Sequence, residues 1–279
     1  MTSNPGSYND KIGEFMIDKF SLAYKIKKSK PVDKIEFIID KCRNKKILDL
    51  GCIRHSAEFS LKDPDWLHKK ILSVAEEAVG VDYLAEEIKK LNNYGYDIMY
   101  GDVTKPLNIN KKFDIIIAGD LIEHLTNFEG FFLNCKNMLV ENGILIITTP
   151  NPFYTDEYHY VAFKKNYLIN PEHTCWIDPM CLNQLCSRFD FEIDMIYFIK
   201  KSWKLNGLIC ENENHFYDIF LDKWVNQNYS EFQKFFEKII KGLFKFFYWP
   251  FKAITCCNSI LVRYSDYLAV LKIKKILMK

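Results

Sequence analysis

No Cys-x-x-Cys pair occurs in this chain although it holds nine cysteines. Cys181 and Cys186 meet neither a second pair nor a histidine at zinc-finger spacing, so no structural zinc site is expected. The cysteines lie scattered at 42, 52, 135, 175, 181, 186, 210, 256 and 257, and the polar opening from Met1 to Asp10 has no apolar signal segment. They read as reduced thiols in a cytoplasmic protein. A spanning helix is excluded too, because Lys245 and Lys252 interrupt every apolar window of about 18 residues in the most apolar stretch. Repeats and low-complexity segments are absent. So is the Gly-x-Gly-x-x-Gly loop that seats a pyrophosphate on a helix N-terminus, which argues against a nicotinamide dehydrogenase.

What is present is a folding composition. Of 279 residues 48% are hydrophobic and 27% charged, which excludes a fibrous or wholly disordered chain. The length holds one α/β domain with extensions, or two small domains. The formal charge of +2 hides an asymmetry: from Asn228 onward there are ten Lys or Arg against three Asp or Glu, and before it 28 against 33.

Apolar residues at helical spacing predict two helices ahead of the core, Asp10 to Lys28 and Pro31 to Arg43, with Pro31 suited to a helix first turn. Five strand-length apolar runs follow, Lys46 to Leu50, Ala78 to Asp82, Asp97 to Tyr100, Phe113 to Ala118 and Gly143 to Thr148. Helical patterns stand between them at Asp65 to Glu77, Leu84 to Asn93 and Asn127 to Val140, and residues 53 to 65 read as an inserted loop. Alternation of this kind, with continuously apolar strands, predicts an α/β fold: a Rossmann-like parallel sheet with helices on both faces. Beyond Pro150 a helix is expected over Pro179 to Arg188 and a strand over Phe191 to Ile199, closed by an antiparallel hairpin whose return strand lies near Leu205 to Cys210. The division is 1–45, N-terminal helices; 46–212, the α/β domain; and 213–279, a basic, aromatic, helical extension.

Ligands of an open parallel sheet bind outside the carboxyl ends of its strands, and here those ends carry acids: Asp49, Asp82, Asp102 and Asp120. Each alone is also an ordinary helix N-cap. Four in succession favour a ligand that presents hydroxyls, amines or positive charge.

These residues resemble the class I S-adenosylmethionine-dependent methyltransferases over roughly Lys46 to Ile199. The matching pieces are Ile47-Leu48-Asp49-Leu50-Gly51-Cys52, Val79-Gly80-Val81-Asp82, Gly101-Asp102-Val103, Phe113 to Leu125 with Asp120-Leu-Ile-Glu123-His124, and Asn142 to Pro150. The resemblance implies S-adenosylmethionine as cofactor. It implies Asp82 accepting both ribose hydroxyls, Asp102 the adenine amine with Val103 against the ring, Gly51 and Cys52 passing close to the cofactor, Asp49 near its methionine portion, and Asp120 lining the site. The family's alternating glycines are reduced to one in Gly51-Cys52-Ile53-Arg54-His55-Ser56, so Ile53 or His55 would crowd the methionyl group unless the loop swings outward. A similar Gly-Cys loop, followed by a His-Ser pair and a stretch like Pro64 to His68, occurs in methyltransferases of surface-polysaccharide clusters. His55 is either a ligand-loop residue or an ordinary surface histidine.

Methyl transfer is governed by positioning, and a base helps where the acceptor is protonated. His124 and His173 suit proton removal from a hydroxyl at neutral pH, with Glu123 beside them and Trp176 placed to stack on a sugar or nucleobase. Either histidine also fits a purely structural role. Asp120, Glu123, His124 and His173 further resemble the metal set of small-RNA terminal 2′-O-methyltransferases, although no metal is expected here. In the extension, lysines 234, 238, 241 and 245 form a stripe on a helix that is otherwise aromatic and apolar over residues 231–249. This predicts either peripheral contact with the inner face of a membrane or docking on protein. The expected function is O-methylation of a glycan or other small hydroxyl-bearing acceptor, with nucleic acid not the expected partner. Two alternatives stand beside it: a metal-dependent RNA 2′-O-methyltransferase, and a degenerate, non-catalytic binding protein of the same fold.

Overall fold

Strand-length runs rich in Ile, Leu and Val are buried on both faces only when helices cover both sides of a sheet, and that is how this chain arranges them. The computed structural model describes residues 21–154, 170–199 and 264–274. The chain divides into two compact units, Met1–Pro152 with Pro171–Lys200 and Tyr264–Lys279, and Phe153–Asn170 with Lys201–Arg263. Only residues 153, 154 and 170 of the second are described, and everything below concerns the first.

Residues 21–28 form a helix, α1. The edge strand β1 is Pro31–Val32, and α2 is Lys34–Cys42, opened by Asp33, whose carboxylate accepts the Glu36 N–H. Then come β2 (Lys46–Leu50), α3 (Ala57–Lys62), α4 (Leu67–Leu72), β3 (Glu77–Asp82), α5 (Ala85–Asn93), β4 (Ile98–Tyr100) and β5 (Phe113–Gly119). A 3-10 turn at Ile122–His124 leads to α6 (Phe128–Met138), β6 (Leu139–Pro150), α7 (Pro179–Arg188), β7 (Phe191–Ile199) and β8 (Asp266–Ile273).

The eight strands lie in the order β1-β7-β8-β6-β5-β2-β3-β4. β8 is antiparallel to both neighbours, and every other pairing is parallel. One face packs Ile47, Ile115, Ile117, Ile146 and Leu268 against Ile38 and Cys42 of α2 and Ile71 of α4. A second cluster joins Cys52, Ile53, Ala57 and Trp66 to Ile88, Leu91 and Ile98. Each buried Ile or Leu among them contributes about 1.5–3 kcal/mol by leaving water. The strand order reverses between β2 and β5, the crevice in which a doubly wound sheet receives its ligand.

Four expectations change. Pro31 is not in a helix: φ near −65° also suits an edge strand, and Asp33 supplies the cap that starts α2 two residues later. Residues 53 to 65 are not a plain loop but contain α3, because Ser56 accepts the Phe59 N–H and caps it. The helix expected over Asp65 to Glu77 is confined to Leu67–Leu72. The return strand of the antiparallel hairpin is β8, not a segment near Leu205 to Cys210, which lies outside the described residues. Residues 266–273, assigned from sequence to the helical extension, therefore belong to the sheet, with Tyr267 donating its hydroxyl to the Ile177 carbonyl at 2.9 Å. The lysine-striped segment 231–249 also lies outside the described residues. Among those described, no helix is long and apolar enough to cross a membrane.

Candidate active site

Parallel register brings the strand ends together: Leu50 stands beside Val81 and Ala118, and Asp82 beside Tyr100. Asp49, Gly51, Cys52, Asp82, Asp102 and Val103 thus gather along the carboxyl edge of β2, β3 and β4. Gly51 takes φ +70°, a left-handed conformation that L side chains rarely adopt, and a Cβ built there would come within 3.0 Å of Leu121 Cδ1. The chain therefore turns tightly at the switch point, with the Gly51 N–H donating to the Val81 carbonyl at 2.8 Å.

Asp82 anchors this turn. Its Oδ2 accepts the Ile53 N–H at 3.0 Å and its Oδ1 accepts the N–H groups of Tyr83 and Leu84 at 2.8 and 3.1 Å. Burial nevertheless pushes its carboxyl above the ordinary range, against those three hydrogen bonds. With about four lone-pair sites on a carboxylate, Oδ1 is filled and Oδ2 keeps room for one hydroxyl. Asp102 accepts the Thr104 hydroxyl and N–H on Oδ1, which hold its carboxyl low, and Lys105 lies 3.1 Å from Oδ2. Val103 is buried beside it, with its carbonyl accepting an Asn134 N–H.

The crowding expected from Ile53 does not arise, because its side chain turns into the apolar cluster with Trp66 and Ile88. His55 does swing outward: it is exposed, at φ +54°, with its ring edge on Phe59. An adenosyl donor carries hydroxyls, an amine and a sulfonium. The residues at these strand ends fit it: a turn that only glycine makes easily, acids with spare acceptor capacity, and an apolar side chain for a flat ring.

Beyond β5 lies a second group. Asp120 takes φ +50°, and its N–H donates to both the carbonyl and hydroxyl oxygens of Thr148 at 3.0 Å. The Thr148 hydroxyl in turn donates to Asp120 Oδ1 at 2.6 Å, and Lys34 pairs with Oδ2. Desolvation works to raise this carboxyl, but the Lys34 ammonium and the Thr148 hydroxyl outweigh it and hold the carboxyl below the usual range. Asp120 is thus tied to both α2 and β6.

Glu123 is buried, with Oε2 accepting the Thr149 hydroxyl at 2.9 Å and Oε1 without a hydrogen-bond partner among the described residues. Burial, reinforced by Asp120, pushes its carboxyl up to about 8. Its backbone carbonyl accepts the N–H and hydroxyl of Thr174 at 2.8 and 3.0 Å, which brings the His173 segment against the 3-10 turn. The half-buried rings of His124 and His173 meet edge to face with centroids 4.7 Å apart. His124 Nδ1 lies 3.2 Å from the Glu172 carbonyl. A carbonyl only accepts, so Nδ1 carries the hydrogen and a neutral His124 presents its lone pair at Nε2. Burial, then the neighbouring His124, lowers the His173 pKa. Glu123, His124 and His173 each offer one ligand atom, all within 4.8 Å of one another. Trp176 is 45% exposed, free to present a face.

The sequence reading named the acids and both histidines but missed Lys34, His68, Thr148, Thr149 and Thr174. Lys34 had no signal in a sequence met alone, since its partner lies 86 residues away.

Comparison with known proteins follows the same line. Residues 22–195 match a family model described as Methyltransferase domain. A ubiquinone biosynthesis O-methyltransferase of Glaesserella parasuis is 29% identical over 170 residues, 57% of this chain and 71% of that protein. An (S)-tetrahydroprotoberberine N-methyltransferase of Eschscholzia californica is 20% identical over 167 residues, 58% of this chain and 45% of that protein. A solved SAM-dependent methyltransferase from Archaeoglobus fulgidus has 20% identity and a TM-score of 0.47, covering 86% of this chain and 94% of that one.

Proposed function

This chain belongs to the methyltransferase-domain family, with S-adenosylmethionine as its methyl donor, and from that premise we propose that it methylates a hydroxyl oxygen of a small acceptor, such as a sugar of a glycan. The observation that carries the choice of oxygen is the histidine pair. A neutral amine attacks a methyl carbon without a base, whereas an aliphatic hydroxyl gains greatly from losing its proton. His124 Nε2, with its tautomer set by the Glu172 carbonyl, and His173, kept neutral by burial, supply proton acceptors beside the strand end. Glu123, protonated at neutral pH, adds no negative charge next to them.

When bound, the donor supplies an electrophilic methyl carbon on a sulfonium. The chain's own groups then have three tasks. Asp82 and Asp102 hold hydroxyl and amine groups of the donor, Gly51 and Cys52 shape the turn against it, and a histidine nitrogen takes the acceptor's proton. Trp176 offers a stacking face for the acceptor. That the Glaesserella parasuis relative is named an O-methyltransferase supports oxygen as the accepting atom. A polysaccharide acceptor, and a place at a membrane surface through residues 231–249, belong to this proposal as its finer part. The non-catalytic alternative rested on the missing glycines, and the burial of Ile53 and outward turn of His55 weaken it.

The test is transfer of labelled methyl from S-adenosylmethionine to paired acceptors, sugars and phenols against amines of the same ring. Label on the hydroxyl compounds supports the proposal, and label on the amines alone overturns it.

One observation favours a second reading, that a divalent ion assists the transfer, as in a metal-dependent 2′-O-methylation of RNA. Glu123, His124 and His173 converge, and among the described residues Glu123 Oε1 has no hydrogen-bond partner. Ion binding would have to displace the Glu123 proton. Activity that survives exhaustive chelation removes this reading.

A further inference from the structure

We propose that His68, assisted by Trp66, is a positioning residue for the donor site: its Nδ1–H fixes the Asp49 carboxylate beneath the turn at Gly51, while Trp66 fixes Cys52 above it. The inference rests on the reading of the β2 end as the S-adenosylmethionine site.

His68 is fully buried at the start of α4, and its Nδ1 lies 2.9 Å from Asp49 Oδ2. Asp49 is itself only 3% exposed, and among the described residues His68 is its sole side-chain partner. The other ring nitrogen, Nε2, is buried and has no hydrogen-bond partner among the described residues. A ring placed only to satisfy its own polar atoms would not leave one bare, because an unsatisfied buried group costs about 1–3 kcal/mol. The arrangement is explained if Nδ1 has the task and Nε2 is its cost. Asp49 held this way keeps Oδ1 for the positively charged end of a ligand at the switch point.

Two residues earlier, Trp66 is 1% exposed and donates Nε1–H to the Cys52 carbonyl at 2.7 Å. Its ring lies 5.7 Å from that of His68 and 4.7 Å from Tyr96, so the two donors form one packed aromatic block. Gly80, in the interior of β3, shows that the block needs its space. A Cβ there would lie 2.7 Å from Cys52 Sγ and 2.9 Å from His68 Cε1. Glycine weakens a strand and often marks such a close approach. Loop 51–56, which has a single glycine, is thus shaped by side chains from α4 and β3 rather than by its own flexibility.

Three variants of the full chain test this by calorimetric titration with S-adenosylmethionine, with ligand-free melting measured in parallel. His68→Phe keeps the ring but removes the donor, His68→Asn returns an N–H near the position of Nδ1, and Trp66→Phe removes only the Cys52 contact. His68→Phe is expected to weaken donor binding by about tenfold or more. Its KM for the donor should rise, and kcat at saturating donor should stay within about threefold. His68→Asn should recover most of the affinity, and Trp66→Phe should lose about threefold to tenfold. If His68→Phe melts lower yet binds the donor as the wild type does, the residue is only structural and the proposal fails. Equal losses in His68→Phe and His68→Asn overturn it too, since ring volume would then be what matters. If the wild type itself does not bind the donor, the reading of the site fails first and takes this inference with it.

Discussion

Lys34 and Asp120 form an ion pair that joins the first residue of α2 to the end of β5, 86 residues further along the chain. The pair is half shielded, with 24% and 46% of the two side chains exposed, so its own contribution to stability is small. Its consequence is geometric: it holds Asp120 over the crevice in its left-handed turn. Lys34→Met and Asp120→Asn are each expected to lower kcat/KM by about tenfold, and the double variant by no more than the worse single, because both remove one contact. Additive losses in the double-mutant cycle would show that the two residues act separately.

Glu123 gives a pH test of stability. Its folded pKa of about 8 stands above the ordinary 4.5, so between these values the folded chain binds a proton that the unfolded chain releases. The stability this group contributes is present below about pH 4.5 and lost as pH rises through about 8. Glu123→Gln removes that loss. Thermal melting should show the variant gaining on the wild type steadily from pH 5 to pH 8, and a constant difference would mean that Glu123 is not a buried neutral acid.

As the proposed base, His173 is expected to set the acid limb of activity. Burial and the neighbouring His124 lower its pKa from 6.5, so kcat/KM should hold down to a pH below 6.5 before protonation of the base cuts it off. His173→Ala should cost about 100-fold in kcat with donor affinity near wild type. Equal losses in both would assign His173 to shaping the pocket.

Because β8 lies between β6 and β7, a chain cut near residue 228 loses an interior strand and the buried Tyr267, Leu268, Ala269 and Leu271. Such a chain is expected to be insoluble or unfolded by circular dichroism. A soluble, cooperatively melting truncation would contradict the pairing of β8.

The periodicity from Lys46 to Thr148 made five strands and their acidic ends legible, because those signals lie within single segments. Pro179–Arg188 and Phe191–Ile199 were legible to the residue, since Asp178 caps the one and a run of apolar residues from Phe191 to Ile199 marks the other. β8 was not, because Tyr267 to Leu271 follows a long stretch of helical pattern and its partners lie 69 or more residues upstream. Local pattern says nothing about such pairing. His68 was picked out only as the end of the Pro64 to His68 stretch, without a role, because only the fold brings Asp49 and Gly80 against it.

The most direct measurement is calorimetric titration of S-adenosylmethionine into the wild type and into folded Asp82→Ala. Saturable 1:1 binding by the wild type, weakened by about 1–3 kcal/mol in the variant, is the expected result, because Asp82 anchors the turn at Ile53 and, in the proposed site, accepts a donor hydroxyl. No binding by the wild type, or unchanged affinity in the variant, would contradict the assignment of the donor site to these strand ends.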